Sequence, residues 1–381
     1  MAMFESLQFF IVAAALAVPA IILGVLEKSQ KLYGGIVSFI FLIFSMGVDL
    51  DFKNGFTHEF NLNGALFLLA YLAIEYCVAV GFVRVVKTKG RDEKLYYLFI
   101  ALALAPLVVN KVGGFVDLKL FAFIGISYMT FKMVQIVIEI YDGLIDEVKG
   151  PELFYFLTFF PAILCGPIDR SRRFMEDING VRSRAEYLNM VGDGLFKICL
   201  GLVYKKVLAS AMVMIGTQNM YIYGLQLFFD FAGYSLMAVG FSYLFAVKTP
   251  DNFNQPFRSI DLKDFWNRWH MTLSFWFRDY LFSRILRRAM RGKWFGGNKL
   301  TQASVCFIIN MTVMGIWHGL ELHFIVYGIY HGVLLAITEV YQKKSKFYKK
   351  HKKEKGYRLV SWFVTFNLVM FGFYIFSGQL F

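Results

Sequence analysis

Charge is scarce in this chain. Only 18% of its 381 residues are Asp, Glu, Lys or Arg, against roughly a quarter in soluble domains, while 57% are hydrophobic and 18% aromatic. Mean hydropathy is +0.53. One soluble core of this length cannot hide that much apolar surface, so a water-soluble globule is excluded and the surplus faces lipid. The short alternating segments of a membrane β-barrel are missing as well, because the apolar runs are long and continuous. The expected class is an all-α polytopic membrane protein. Cysteine is also sparse. Cys77, Cys165, Cys199 and Cys306 are scattered with no CxxC pair, so neither a disulfide framework nor a zinc site is indicated. Each lies in or beside an apolar run, where a thiol packs as a small hydrophobe. There is no GxSxG elbow, P-loop, GxGxxG or HExxH, so neither a serine acyl-enzyme nor a nucleotide-hydrolysing pump is supported. Internal repeats, a soluble domain and long linkers are lacking too. The organisation expected is a single integral membrane domain over 1–381.

Positive charge is in excess, at a net +13. In a soluble protein that would suggest nucleic acid. Here the basic residues sit between apolar runs, as the positive-inside bias and anionic lipid headgroups dictate, and no nucleic-acid partner is expected. The first run, 6–26, has no basic n-region and no small-residue cleavage site, so it reads as a retained span. It ends at Glu27, Lys28 and Lys31. The second run, 33–50, leads to an acidic-leaning loop, and the third, 62–86, to KTKGRDEK at 87–94. Runs at 95–110 and to about Tyr141 continue the alternation, although KVGGFVDLK makes the start of the latter irregular. Further crossings fall at 194–216, 219–247, 301–319, 323–341 and 359–381, with a basic tail KKSKFYKKHKKEKGYR at 343–358. That makes about ten full crossings with both termini outside.

Two stretches do not fit a full crossing. Residues 151–168 are apolar but carry Pro161, Gly166 and Pro167, and DRSRRF follows at 169–174. Proline-broken backbone is tolerated where protein or a water-filled cavity covers it, so a re-entrant or interfacial segment is expected. Residues 251–293 are too polar to span. Arg258, Arg268, Arg278, Arg284, Arg287, Arg288 and Arg291 punctuate aromatic sequence there. This reads as an amphipathic or re-entrant cytoplasmic hairpin with snorkelling arginines.

The chemistry-bearing residues gather in 264–331. His270 and His318 each follow a tryptophan, Trp269 and Trp317, in otherwise apolar sequence. A histidine is costly in water-poor surroundings and is suited to moving protons near neutral pH. A neutral imidazole can take the proton of a hydroxyl as it attacks a thioester or ester carbonyl, and the tryptophans would exclude water. Packing with a hydrogen-bonded ring is the competing reading, stronger for His270 than for His318. Gly319 permits close backbone approach beside the His318 ring. The charge pattern places His318 near the outer end of its span and His270 on a segment dipping from the cytoplasm. Two rings meeting from opposite faces suit a donor and an acceptor on opposite sides. His331 falls mid-span and either lines a cavity or packs; His323 reads as interfacial. The spacings of five and eight among His318, His323 and His331 do not stack ligands on one helical face, so no metal is expected. Asp230 is an acid in an apolar span, able to orient a histidine or pair with an arginine.

These residues sit in stretches that resemble the membrane-bound O-acyltransferase family. The stretches are GISYMTFKMVQIVIEIYDG at 125–143, CGPIDRSRRF at 165–174, LQLFFDFAGYSLMAVG at 225–240, PDNFNQPF at 250–257, FWNRWHMTLSFWFRDYLF at 265–282, and MGIWHG through YHG at 314–332. They run in order over about 120–335. The nearest likeness is to the bacterial branch holding the D-alanyl transferases of teichoic acid and the alginate O-acetylases, and GPIDR with its basic pair favours the former.

The resemblance implies a helical ring of about ten to eleven spans with re-entrant or interfacial helices, in the cell membrane of a Gram-positive bacterium. It implies catalysis by His318, with His270 at the second motif position, and a funnel above a narrow passage. Trp317, Trp269, Asp230 and His331 are the channel-lining candidates. The implied donor is a D-alanyl phosphopantetheine thioester on a small carrier protein, with no cofactor held by the chain itself. The implied acceptor is the glycerol hydroxyl of lipoteichoic acid, reached with partner membrane proteins. An acidic carrier would dock on Arg278, Arg284, Arg287, Arg288 and Arg291; headgroup contact is the simpler use of any one of them. O-acetylation of an exported polysaccharide is the rival acyl transfer. A transporter would be expected to show repeats with matching broken helices, and none is found.

Overall fold

The computed structural model describes residues 4, 6–45, 49–51, 55–57, 62–113, 120–121, 123, 125–164 and 166–381. Cys165 and residues 114–119, where the fifth crossing was expected to begin, lie outside them. The helices in chain order are α1 Leu7–Val25, α2 Lys31–Ser45, α3 Leu62–Lys89, α4 Glu93–Gly113, α5 Ile126–Asp142, α6 Gly150–Thr158 and α7 Ser171–Asn179. Next come α8 Arg184–Leu202, continued through a π-helical stretch Val203–Ala209 into α9 Ser210–Ile215, and α10 Met220–Leu244. They are followed by α11 Leu262–Trp266, α12 Met271–Phe277, α13 Ser283–Arg291, α14 Lys299–His318, α15 Leu322–Lys344, α16 Lys346–His351 and α17 Lys355–Phe376. A short antiparallel pair, β1 Asp49–Asp51 with β2 Gly55–Thr57, joins α2 to α3. The chain is an all-α polytopic membrane protein.

Eight helices among the described residues are long and apolar enough to cross a membrane: α1, α3, α4, the continuous Arg184–Ile215, α10, α14, α15 and α17. The two other expected crossings are shorter. The 15 residues of α2 and the 17 of α5 give about 22 and 25 Å at 1.5 Å per residue, against roughly 30 Å of hydrocarbon. Hydropathy found α5 but not its surroundings. It is buried along almost its whole length and carries Thr130, Lys132, Gln135 and Glu139 inward. The 151–168 stretch is broken as expected: α6 stops at Thr158 and a single 3₁₀ turn, Phe160–Ala162, follows. Of the described cysteines, only Cys306 is buried; Cys77 and Cys199 are on exposed helix faces. Helices with one face to lipid leave room for a thiol outside the core.

The chain falls into two compact units. The first comprises Met1–Gly201 with Tyr234–Pro250, and the second Leu202–Gly233 with Asp251–Phe381. In the first, the buried Lys132 ammonium donates to the Phe156 carbonyl at 2.7 Å, and the Ser171 hydroxyl donates to Glu139. The DRSRRF stretch is a clamp. Arg173 binds Asp169 (Nε to Oδ1 2.7 Å) and Asp177 (2.8 Å), and Arg182 binds Asp177 and the Ala246 carbonyl, the latter at 2.7 Å. The Lys248 amide donates to Asp177 at 2.7 Å. The motif therefore ties α7 to the segment after α10.

In the second unit, α14 and α15 form a tight antiparallel hairpin. Asn298 caps α14, accepting from the Leu300 and Thr301 amides at 3.1 and 3.2 Å. Asp261 caps α11 in the same way, from the Lys263 and Asp264 amides at 2.9 Å. Lys263 then reaches Glu339 and Gln342 of α15, and Gln342 donates back to Asp261 at 3.0 Å. The loop before α11 is held by α17: Trp362 Nε1 donates to the Phe257 carbonyl and Ser361 to that of Ile260, both at 2.7 Å.

Candidate active site

His318 is the last residue of α14, half-buried, where the final helix carbonyls lie unsatisfied. Its ring meets Phe376 of α17 edge-on at 5.1 Å, Trp317 at 4.6 Å and Tyr327 of α15 at 6.3 Å between centroids. Gly319 follows with extended backbone (φ −172°). A Cβ there would come within 2.2 Å of the Phe324 ring, so the glycine lets the α14–α15 turn close over an aromatic side chain.

His270 sits at the N-terminal boundary of α12 with left-handed backbone, φ 43° and ψ 52°. It is 3% exposed. Its ring meets Phe231 of α10 edge-on at 4.7 Å, and its Nε2 has no hydrogen-bond partner among the described residues. Burial, and after it the nearby His318, push the His270 imidazole well below its ordinary range, so it is held neutral. The two histidines, separated by 48 positions in sequence, lie in the same unit.

An aromatic cluster joins them. Trp269 packs on Phe373 at 4.6 Å, Phe253 at 5.0 Å and Phe265 at 5.7 Å. His331 is fully buried on α15, with Trp266 at 5.2 Å, Tyr327 at 4.7 Å and Tyr330 at 5.3 Å. Neither of its ring nitrogens has a hydrogen-bond partner among the described residues. A Cβ on Gly372 would stand 2.5 Å from His331 Nε2. Tyr327 therefore touches both His318 and His331, and Phe265 bridges His331 to Trp269.

The other expected residues divide. The partner Asp230 shows is a lysine rather than an arginine or a histidine: its Oδ1 is 2.6 Å from Lys205 Nζ. Lys205 lies in the π-helical stretch Val203–Ala209. His323 packs against Phe324 with the rings tilted and their centroids 4.0 Å apart. The hairpin is two different things. Its first half buries Phe265, Trp266, Trp269, Trp276 and Phe277 in the unit, and only α13 is an exposed amphipathic helix. Arg287, Arg288 and Arg291 stand on its exposed side. Arg278 is engaged by Asp279 at 2.9 Å and lies over the Phe275 ring. Arg284 is half-buried, with its Nε enclosed. Of the five expected arginines, Arg278, Arg287, Arg288 and Arg291 are exposed and Arg284 is half-buried. Among the described residues no group of three His, Cys, Asp or Glu could hold a metal ion.

Sequence reasoning passed over Asn252, Tyr327 and Gly372. Asn252 stood inside PDNFNQPF, a stretch noted only for resemblance, and Tyr327 four residues before His331, one helical turn away.

The family model for MBOAT, the membrane-bound O-acyltransferase family, matches residues 205–377, which contain every residue of this site. Along its length the chain is 36% identical to the teichoic acid D-alanyltransferase of Bacillus subtilis, covering 99% of this chain and 98% of that one. It is 38% identical to the teichoic acid D-alanyltransferase of Streptococcus thermophilus, over 98% of this chain and 94% of that protein. Similarity to the probable alginate O-acetylase of Azotobacter vinelandii is 30%, over 67% of this chain and 51% of the relative. The fold, the paired histidines and these likenesses agree, and the chain belongs to the membrane-bound O-acyltransferase family.

Proposed function

We propose that this acyltransferase moves D-alanine from a phosphopantetheine thioester on a carrier protein toward the glycerol hydroxyls of lipoteichoic acid, in the cell membrane of a Gram-positive bacterium, with His318 as general base. The acyl group and acceptor are supported by end-to-end similarity to two teichoic acid D-alanyltransferases; the alginate relatives match only two thirds of the chain. The single observation that supports the site is the run of ring contacts leading from His318 through Tyr327, His331, Phe265 and Trp269 to Phe231 beside His270.

The chemistry follows from the two histidines. His318 accepts the hydroxyl proton as the oxygen attacks the thioester carbonyl, and the sulfur leaves and takes up the proton. Base assistance of this kind is worth about 10²–10⁴ in rate. The negative end of the α14 dipole favours the imidazolium as it forms. His270, held neutral, adds no competing positive charge and offers Nε2 to an incoming polar group. His331, Trp317 and Trp269 supply the surrounding wall, whose aromatic surface keeps water from the thioester. Arg287, Arg288 and Arg291 on α13 are the surface for the carrier, and partner membrane proteins of the same route are expected on the acceptor side.

The test is complementation of a strain lacking the gene. Wild-type protein and His318→Ala are brought to matched membrane abundance, and ester-linked D-alanine on lipoteichoic acid is quantified. Wild type restores D-alanine and the variant does not. Restoration by both would move the base to His270 or His331. Acetyl esters on a secreted polysaccharide that track the gene would replace the substrate class.

A further inference from the structure

We propose that Asn252 is the positioning residue for His270; this rests on the reading of His270 as part of the reaction site. The first amides of a helix need acceptors, and a Ser, Thr, Asp or Asn at the boundary normally provides one from its own side chain. The boundary residue of α12 is His270, and its side chain makes no such bond. Asn252, eighteen positions earlier, does the work instead. Its carbonyl accepts from the Met271 amide at 2.8 Å. Its Oδ1 accepts from the Thr272 hydroxyl at 2.5 Å and from the Thr272 amide at 3.4 Å. One turn of chain back, the Asn254 amide donates to the Arg268 carbonyl at 2.9 Å. The backbone is therefore pinned on both sides of His270.

Two consequences follow. Left-handed backbone in a non-glycine residue persists only where neighbours over-determine it, and such residues gather at functional sites. Asn252 and Asn254 are those neighbours. The His270 ring, released from capping, meets Phe231 edge-on at 4.7 Å. Asn252 itself is 1% exposed, and its Nδ2 has no partner among the described residues, as is true of His270 Nε2. Asn252 is thus spent on the turn through its oxygens, with a donor left over on the buried side.

A positioning role and a merely structural cap predict different couplings. With purified full-length enzyme in detergent, Asn252→Ala should lower kcat about 10- to 100-fold with KM within about twofold, the scale expected when a reacting group is misplaced by roughly an ångström. In a His270→Ala background the same substitution should cost nothing further, because the ring it positions is gone. Thr272→Val removes only the hydroxyl donor and should lower kcat several-fold, while Thr272→Ser restores it. Equal losses from Asn252→Ala in both backgrounds would make Asn252 a structural cap and overturn the proposal, as would a wild-type kcat for Asn252→Ala. If Asn252→Ala does not accumulate, the Thr272 pair decides, and equal kcat for Val and Ser overturns it. Full activity in His270→Ala would instead remove the reading of His270, and the proposal with it; loss there with no effect at Asn252 removes the proposal alone.

Discussion

His270 couples residue-level energetics to pH in a direction that can be worked out. Its imidazole is depressed in the folded protein by burial and by His318, while in the unfolded chain it titrates near 6.5. A base whose folded value is lowered contributes its full stability above the unfolded value. That stability is lost as pH falls below about 6.5, since only the unfolded state takes up the proton. The loss approaches about 1.4 kcal/mol per pH unit for one such group. Thermal unfolding in detergent at pH 7 and pH 5 should show wild type losing more than His270→Asn, a replacement that tolerates left-handed backbone. An identical pH dependence in the two proteins would show that the folded His270 takes up protons normally. The aromatic surroundings of His270 and His318 were legible from their tryptophan neighbours and apolar setting. What was not legible was how His270 is held, because the acceptors that replace its missing cap come from a loop eighteen residues away. The partner of Asp230 was not legible for a similar reason: Lys205 lies 25 residues away, in the π-helical stretch before α9.

Helices were the easier part of the sequence to read, since eight apolar runs are long enough to announce themselves. Hydropathy could not show which faces meet. In the α14–α15 hairpin the faces meet through glycine. A Cβ on Gly328 would stand 2.5 Å from the Met311 carbonyl oxygen and 3.1 Å from the Gly315 and Thr312 Cα atoms, and one on Gly332 would stand 2.7 Å from the Ile308 Cα. Gly328 and Gly332 form a GxxxG pair, which lets spanning helices approach closely where small residues replace side chains. His331 lies between them in sequence, so the YHG stretch read as chemistry is equally a packing device. Gly328→Ala should force the helices apart, costing about 1–3 kcal/mol as an overpacking change. It should also shift His318 on α14 against Tyr327 on α15, with a loss of activity on the order of 10- to 100-fold. Ile329→Ala, on the exposed face of α15, is the comparison and should leave both thermal midpoint and activity near wild type. Equal behaviour of the two variants would sink the packing argument.

The whole chain carries +13, and that charge has two different uses. Any excess of positive charge attracts anionic lipid, and the run Lys349, Lys350, Lys352 and Lys353 beside α16 needs no other explanation. The α13 arginines are arranged differently. Arg287, Arg288 and Arg291 stand together on the exposed side of α13, one short helix beyond the turn that holds His270. An acidic carrier steered there would gain association rate and register rather than transition-state stabilisation. Replacing all three arginines by glutamine should therefore raise KM for the carrier thioester about tenfold and leave kcat unchanged, because the reacting groups are untouched. Screening gives a second reading of the same surface. Wild-type KM should climb as ionic strength rises from about 0.05 to 0.3 M, where the Debye length falls toward 6 Å, and the variant's KM should stay nearly flat. Replacing the four lysines of the α16 run by glutamine removes more charge and should leave KM and its salt dependence as in wild type. If the lysine variant shifts KM as much as the arginine variant does, total charge rather than the α13 face attracts the carrier. If kcat falls together with kcat/KM in the arginine variant, α13 supports the reaction centre instead of the docking step.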